Sequence, residues 1–229
     1  MNFLQLAGTE NVTSILPVPK GAAAEATSIV FVTSEGVVKR VAAKSFADVR
    51  RSGIIAINLK GEDALVSANL AAEGDSVSLV SARGQSVRFA VEDARSMGRT
   101  AGGVRGMSVK KGDRVVSAEV VPEAEEESAS LLVVMSKGYG KHTSITEYKI
   151  QGRGGSGVKT AEVTAKTGEV IGAKVVVGDL AELELVVVSK KGQVIRTSVA
   201  EIPSLSRATQ GVRIMKMREG DSIASMVAL

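Results

Sequence analysis

The sequence predicts an all-β chain built from a repeated four-stranded module, stacked like the blades of a propeller. Three observations carry this. Short apolar runs rich in Val, Ile and Leu recur, each closed by a polar turn ending in glycine. The turn glycines Gly36, Gly84, Gly138 and Gly192 stand 48, 54 and 54 residues apart. A second set, the loop glycines Gly53, Gly103, Gly157 and Gly211, stands 50, 54 and 54 apart. One such module cannot bury its apolar strands alone; stacking against neighbours buries them.

Taken in order, residues 1–19 read as a partial module, with strands over 3–6 and 12–18. Residues 20–27, rich in alanine, read as a linker. The first full unit, 28–76, places strands at 29–33, 37–41, 54–59 and 64–70. The second, 77–122, places them at 77–80, 86–89, 104–109 and 114–121. Residues 122–128, with four glutamates, read as an acidic surface loop. The third unit, 130–178, runs from the apolar stretch 131–135 to a strand at 170–177. The fourth, 183–229, opens on the apolar run 185–188.

Composition narrows the function. The chain has 229 residues, 44% of them hydrophobic, which is enough for a real core. No apolar run approaches the roughly 18 residues a membrane span needs, and no signal-peptide pattern opens the sequence. There is no Cys, so disulfides and thiolate metal sites are excluded, and a cytosolic setting is favoured. His142 is the only histidine, which leaves multi-His metal sites and most His-based catalysis without residues. The net charge is +4 and only 3% of residues are aromatic. A basic chain poor in stacking rings points to a duplex held through its phosphates rather than to single strands.

The cations follow the repeat. Four residues past the turn glycines stand Arg40, Arg88, His142 and Arg196. Four residues before the later loop glycines stand Arg99, Arg153 and Arg207, whereas the first unit has Val49 there. With their neighbours the candidates for phosphate contact are Lys39, Arg40, Arg50, Arg51, Arg88, Arg95, Arg99, Arg105, Lys141, His142, Arg153, Lys159, Arg196, Arg207 and Arg213. A disc of such modules would carry a basic rim on which DNA could bend. The plainer alternative is solvated charge protecting strand edges. In QGRGGSG, residues 151–157, glycines allow close backbone approach to a phosphate, or serve a tight connecting turn. Without a Gly-Lys-Ser/Thr ending it is not a P-loop. Asp63, Asp113, Glu169 and Asp221 fall in turns before the last strand of each unit and read as turn formers. Tyr139 and Tyr148 read as packing residues. No catalytic, metal or cofactor site is expected.

These stretches resemble the C-terminal domain of the DNA gyrase A protein. The residues that carry the resemblance are 30–40 (VFVTSEGVVKR), 95–106 (RSMGRT through GVRG), 138–148 (GYGK through EY) and 207–212 (RATQGV). The related topoisomerase IV protein has a similar domain, but GYGK and GVRG look more like gyrase. The resemblance implies a β-pinwheel whose blades swap strands, here about four blades plus a partial N-terminal one. It implies sequence-tolerant wrapping of double-stranded DNA within a bacterial, nucleoid-associated enzyme. The partners would be the remainder of the gyrase A protein and the gyrase B protein, in ATP-dependent negative supercoiling. The catalytic tyrosine and the ATPase lie elsewhere in that family. The family's box, Gln-basic-Arg-Gly-Gly-basic-Gly, has no full copy: QGRGGSG carries Gly152 and Ser156 at both variable basic places. The chain is therefore expected to start within a second blade. A protein-interaction propeller without DNA binding is the competing expectation. A propeller glycosidase ranks last, since the acids fall in turns rather than in a cleft.

Overall fold

A computed structural model describes residues 12–18, 21, 26–47, 49 and 53–229. The first repeat supplies β1 (Ser28–Thr33), β2 (Val37–Ala42) and β3 (Leu65–Ala71). The second supplies β4 (Ser76–Ser81), β5 (Gln85–Ala90), β6 (Val104–Arg105) and β7 (Val115–Val121). The third supplies β8 (Ser130–Met135), β9 (Tyr139–Ser144), β10 (Val158–Lys159) and β11 (Val170–Val176). The fourth supplies β12 (Glu184–Ser189), β13 (Val194–Ser198), β14 (Val212–Arg213) and β15 (Ile223–Ala228).

Sheets and repeats do not coincide. The short third strand of each later repeat leaves its own repeat and closes the edge of the preceding sheet. The orders are β3-β1-β2-β6, β7-β4-β5-β10, β11-β8-β9-β14 and β15-β12-β13, all antiparallel. The register is the same at each exchange: Val37 faces Arg105, Gln85 faces Lys159 and Tyr139 faces Arg213. The all-β blade architecture of the sequence reading is therefore present, with the blades joined by strand exchange.

The apolar runs are continuous rather than alternating because the central strands are covered on both faces. Every residue of β4 and of β8 is buried. One core cluster joins Val30, Val32 and Val38 of the first sheet to Val77, Leu79 and Phe89 of the second. Further clusters join the second sheet to the third and the third to the fourth. Full burial of one such Leu or Phe side chain contributes about 1.5–3 kcal/mol. The inner strands β3, β7, β11 and β15 touch in sequence. They are tied by Asn69 Nδ2 to the Ala118 carbonyl (2.8 Å) and by Ser117 Oγ to the Ala173 carbonyl (2.6 Å).

Several expected strands are corrected. Residues 12–18 carry no regular structure; Ile15 is 89% exposed, while Leu16 packs on the outer face of the first sheet and Ser14 Oγ donates to the Ala68 carbonyl at 3.1 Å. The strand expected at 3–6 lies outside the described residues. Residues 54–59 are not a strand either. Their counterparts in later repeats pair only because a preceding sheet offers an edge, and the described residues hold no sheet before the first. The strand expected at 104–109 shrinks to two residues, since the chain turns under at Gly106 to Ser108 once the edge of β2 is met. The acidic loop is exposed as expected, although Glu126 reaches Arg88 at 2.9 Å.

No helix of the described residues is long and apolar enough to cross a membrane.

Candidate nucleic-acid interface

The loop glycines set the site. Gly103, Gly157 and Gly211 have φ of +85°, +76° and +75°. A Cβ there would sit 2.7 Å from the Val38 carbonyl oxygen, 2.2 Å from that of Ser86 and 2.5 Å from that of Gly140. Only glycine accepts both the left-handed backbone and this approach. The next residue pairs with the preceding sheet. The one after, Arg105, Lys159 or Arg213, is thereby presented to solvent.

Each basic loop also lies over the short strand of the preceding repeat. Arg153 Nε donates to the Asp93 carbonyl (2.8 Å) and Nη1 to the Arg105 carbonyl (2.9 Å). One repeat on, Arg207 Nη1 donates to the Lys159 carbonyl (3.4 Å), and its backbone N–H donates to Glu147 Oε2 (3.2 Å). Backbone bonds repeat the overlay: Ser108 N–H to Gly155 O at 2.8 Å, and Glu162 N–H to Thr209 O at 3.0 Å. Arg105 and Arg153 are thus neighbours at one junction, and Lys159 and Arg207 at the next. Arg213 lies beside Tyr139, donating to its hydroxyl at 3.2 Å with the guanidinium 5.7 Å from the ring. That bond, with the nearby cations, draws the Tyr139 hydroxyl below its ordinary pKa. Both tyrosines are buried packing residues, and Tyr148 shares a 2.6 Å bond with Thr160.

The fifteen candidate cations separate by exposure. Arg95, Arg99, Arg105, Arg153, Lys159, Arg196 and Arg213 are exposed; Arg40 and Arg207 are half-buried. Arg50 and Arg51 lie outside the described residues. Of the exposed set, Lys159 pairs with Glu162 at 2.5 Å, and Arg196 is engaged by Glu184. The half-buried Arg207 lies 3.8 Å from Glu147.

Lys39, Arg88, Lys141 and His142 are buried and do not stand on a rim. Their positions lie on β2, β5 and β9, which are packed on both faces, so these polar groups must find protein partners. Lys39 Nζ donates to the carbonyls of Ala56 (2.7 Å) and Arg99. Lys141 Nζ donates to the carbonyls of Ser206 and Arg207, each at 2.5 Å. Burial lowers the Lys39 ammonium pKa, and lowers that of Lys141 to about 8. Arg88 bonds Ser76 and the carbonyls of Ile145 and Tyr148. Burial also pushes the His142 imidazole below its usual pKa, so it is neutral at pH 7 and does not replace a cation.

Two features escaped the sequence reading. A cation precedes the inner strand of each repeat, at Lys60, Lys111, Lys166 and Arg218, all exposed. Lys60 lines one pocket with Arg105, and Lys166 sits 5.4 Å from the Tyr139 ring that Arg213 also faces. The signal was a Lys or Arg one or two residues before Gly61, Gly112, Gly168 and Gly220, the glycines ahead of the last strand of each repeat. Second, the turn acid of the third repeat is not Glu169, which pairs with Arg114 at 3.1 Å. Asp63, Asp113 and Asp221 accept the N–H of Glu35, Arg83 and Lys191 in equivalent turns, whereas Lys137 N–H donates to the Thr167 carbonyl. Among the described residues no cluster of three or more His, Asp and Glu could hold a metal ion.

The repeats match known proteins. The family described as "DNA gyrase C-terminal domain, beta-propeller" matches residues 27–72, 75–122, 130–176 and 183–229. The DNA gyrase A protein of Staphylococcus epidermidis is 35% identical over 226 residues, covering 99% of this chain and 25% of that protein. Its counterpart from Lawsonia intracellularis is 40% identical over 219 residues, covering 96% and 26%. That of Mycobacterium tuberculosis is 42% identical over 204 residues, covering 88% and 24%. The chain thus spans about a quarter of the length of these relatives. A solved DNA gyrase A C-terminal domain superposes with a TM-score of 0.77 at 25% identity, over 89% of this chain and 66% of that one. The C-terminal domain of a DNA topoisomerase IV superposes with a TM-score of 0.80 at 25% identity, over 89% and 62%. By its four matched repeats and its strand-exchanged blades, the chain belongs to the DNA gyrase C-terminal domain family of beta-propellers.

Proposed function

We propose that this chain binds double-stranded DNA through its phosphates, bends it along the blade junctions, and so serves negative supercoiling by a cytoplasmic gyrase holoenzyme. The observation that supports this is the overlay of basic loops in repeat register, which sets Arg105 beside Arg153 and Lys159 beside Arg207. The contact set is the exposed and half-buried cations: Arg40, Arg95, Arg99, Arg105, Arg153, Lys159, Arg196, Arg207 and Arg213, with Lys60, Lys111, Lys166 and Arg218 added. Such contacts read backbone charge and spacing rather than base edges, hence tolerance of sequence. A curved row of cations favours bending because each added phosphate contact offsets part of the deformation energy. The chain supplies binding and not chemistry; the reaction belongs to the remainder of the gyrase A protein and to the gyrase B protein.

The test is fluorescence anisotropy with unrelated duplexes across a salt series. Five phosphate contacts give a slope of log affinity against log salt near −4 to −5. An affinity that stays flat with salt overturns the reading.

A further inference from the structure

The first and third sheets share an arrangement that the second lacks. Three residues past their turn glycines stand Lys39 and Lys141, both 0% exposed. The Lys141 ammonium is fastened to two backbone carbonyls of the loop arriving from the next repeat, Ser206 and Arg207, and the Lys39 ammonium to one such carbonyl, Arg99, and to Ala56 of its own repeat. The acceptor common to both is the carbonyl of the loop arginine itself, Arg99 in one case and Arg207 in the other. The loop is also laced along the strand. His142 N–H donates to Pro203 O (3.3 Å), Leu205 N–H to His142 O (2.9 Å), and Thr143 Oγ1 to Leu205 O (2.6 Å). In the equivalent place Met97 N–H donates to Arg40 O in the first sheet and Gln151 N–H to Arg88 O in the second, both at 2.9 Å, so this backbone bond is common to the three sheets and the buried lysine is what the second lacks.

In the second sheet the lysine position is Val87, 0% exposed and part of the core. The loop above it differs as well. Its arginine, Arg153, is followed by Gly154 at φ +84°, where the other two loops have Thr100 and Ala208. That glycine gives the backbone a conformation that Thr and Ala adopt only at a cost.

We infer that Lys39 and Lys141 are positioning residues, buried clamps that hold the Arg99 and Arg207 loops in their phosphate-binding conformation without touching DNA themselves. This rests on the reading of the chain as a duplex binder. The physics is that of a satisfied buried charge. Two inward-facing carbonyls need donors, and one ammonium supplies both. Its positive charge also lies beneath the loop that meets the polyanion. Where the loop can turn through a glycine, as at Gly154, an apolar residue suffices below it.

The experiment compares Lys141→Met with Arg207→Ala in the full chain, by two measurements. The first is duplex affinity across a salt series. Lys141→Met is expected to weaken binding about ten- to a hundredfold at one salt concentration, the effect of losing a charged hydrogen-bond clamp. Its salt slope should stay unchanged, because no phosphate contact is lost. Arg207→Ala is expected to make the slope shallower by about 0.9. The second is amide hydrogen exchange of residues 204–211 without DNA, which should accelerate in Lys141→Met and not in Arg207→Ala. Unchanged exchange together with unchanged affinity overturns the inference. So does a Lys141→Met slope as shallow as that of Arg207→Ala, since Lys141 would then be a direct contact. Should Lys141→Met fail to fold, Lys141→Gln and Lys39→Met carry the same two measurements. If the unmodified chain ignores duplex, the binding reading falls, and the exchange data still decide whether the clamp exists.

Discussion

Arg153 donates its guanidinium Nη1 to the backbone carbonyl of Arg105 at 2.9 Å, although the two belong to different repeats. The same contact recurs between Arg207 and Lys159. A side chain thus orients a neighbouring cation's backbone. At the first of these junctions two exposed arginines are neighbours, and among the described residues neither Arg105 nor Arg153 forms an ion pair with an acid.

The first expectation concerns the loop arginines together. Reversing charge at Arg99, Arg153 and Arg207 should weaken binding to unrelated duplexes by equal factors. Each lost phosphate contact should also make the salt slope shallower by about 0.9. Anisotropy on two or three duplexes of different sequence checks it. A loss confined to one sequence would point to base readout.

The close approach at Gly157 makes a stability prediction. Gly157→Ala combines a positive φ with a Cβ 2.2 Å from the Ser86 carbonyl oxygen. Gly192 has a similar φ of +81° but nothing within 4 Å of its Cβ position. Gly192→Ala should cost about 1–2 kcal/mol. Gly157→Ala should cost about 3 kcal/mol or more, by detaching β10 from β5. Denaturant melts of the two variants decide it, and equal losses would mean the backbone gives way easily at the junction.

Lys141 predicts an alkaline effect. Its pKa falls from 10.5 to about 8 on folding because burial disfavours the charged ammonium. Between those values the unfolded chain binds the extra proton, so stability rises with pH. The gain is complete above 10.5 and is lost as pH falls through about 8. Melting temperatures of the unmodified chain and of Lys141→Met, compared from about pH 7 to 10, should shift in favour of the unmodified chain as pH rises. A constant difference would show that the lysine keeps an ordinary pKa.

His142 acts at the acid end. Burial lowers its pKa below 6.5, so protonation favours the unfolded chain. Its contribution is fully present above 6.5 and lost as pH falls through the lower folded value. His142→Gln should flatten the fall in melting temperature below about pH 6.5. It should leave duplex affinity at about pH 7.5 unchanged, as expected of a neutral, enclosed ring.

Much of the architecture was legible in residues alone. Glycines mark the hairpin turns and the junctions because each sits at positive φ, and some meet a backbone atom where a Cβ would be. Apolar runs mark the central strands because both faces are covered. The cation spacing showed that charge follows the repeat, yet it could not separate Arg99 from Lys39 or Arg207 from Lys141. Both kinds sit at fixed offsets from glycines. Which one reaches solvent depends on a loop arriving from the next repeat.

What the amino-acid order determined by itself was local: turn positions, strand identity, the period and the placement of positive charge along it. Tertiary structure decided the rest. It moved each short strand into the preceding sheet, left residues 54–59 unpaired because the described residues offer no edge before them, and enclosed four of the fifteen proposed contacts. The reason is that pairing edges and buried carbonyls are supplied by residues some fifty or more positions away, as Lys141 is bound by Ser206 and Arg207, and periodicity within one repeat carries no information about them.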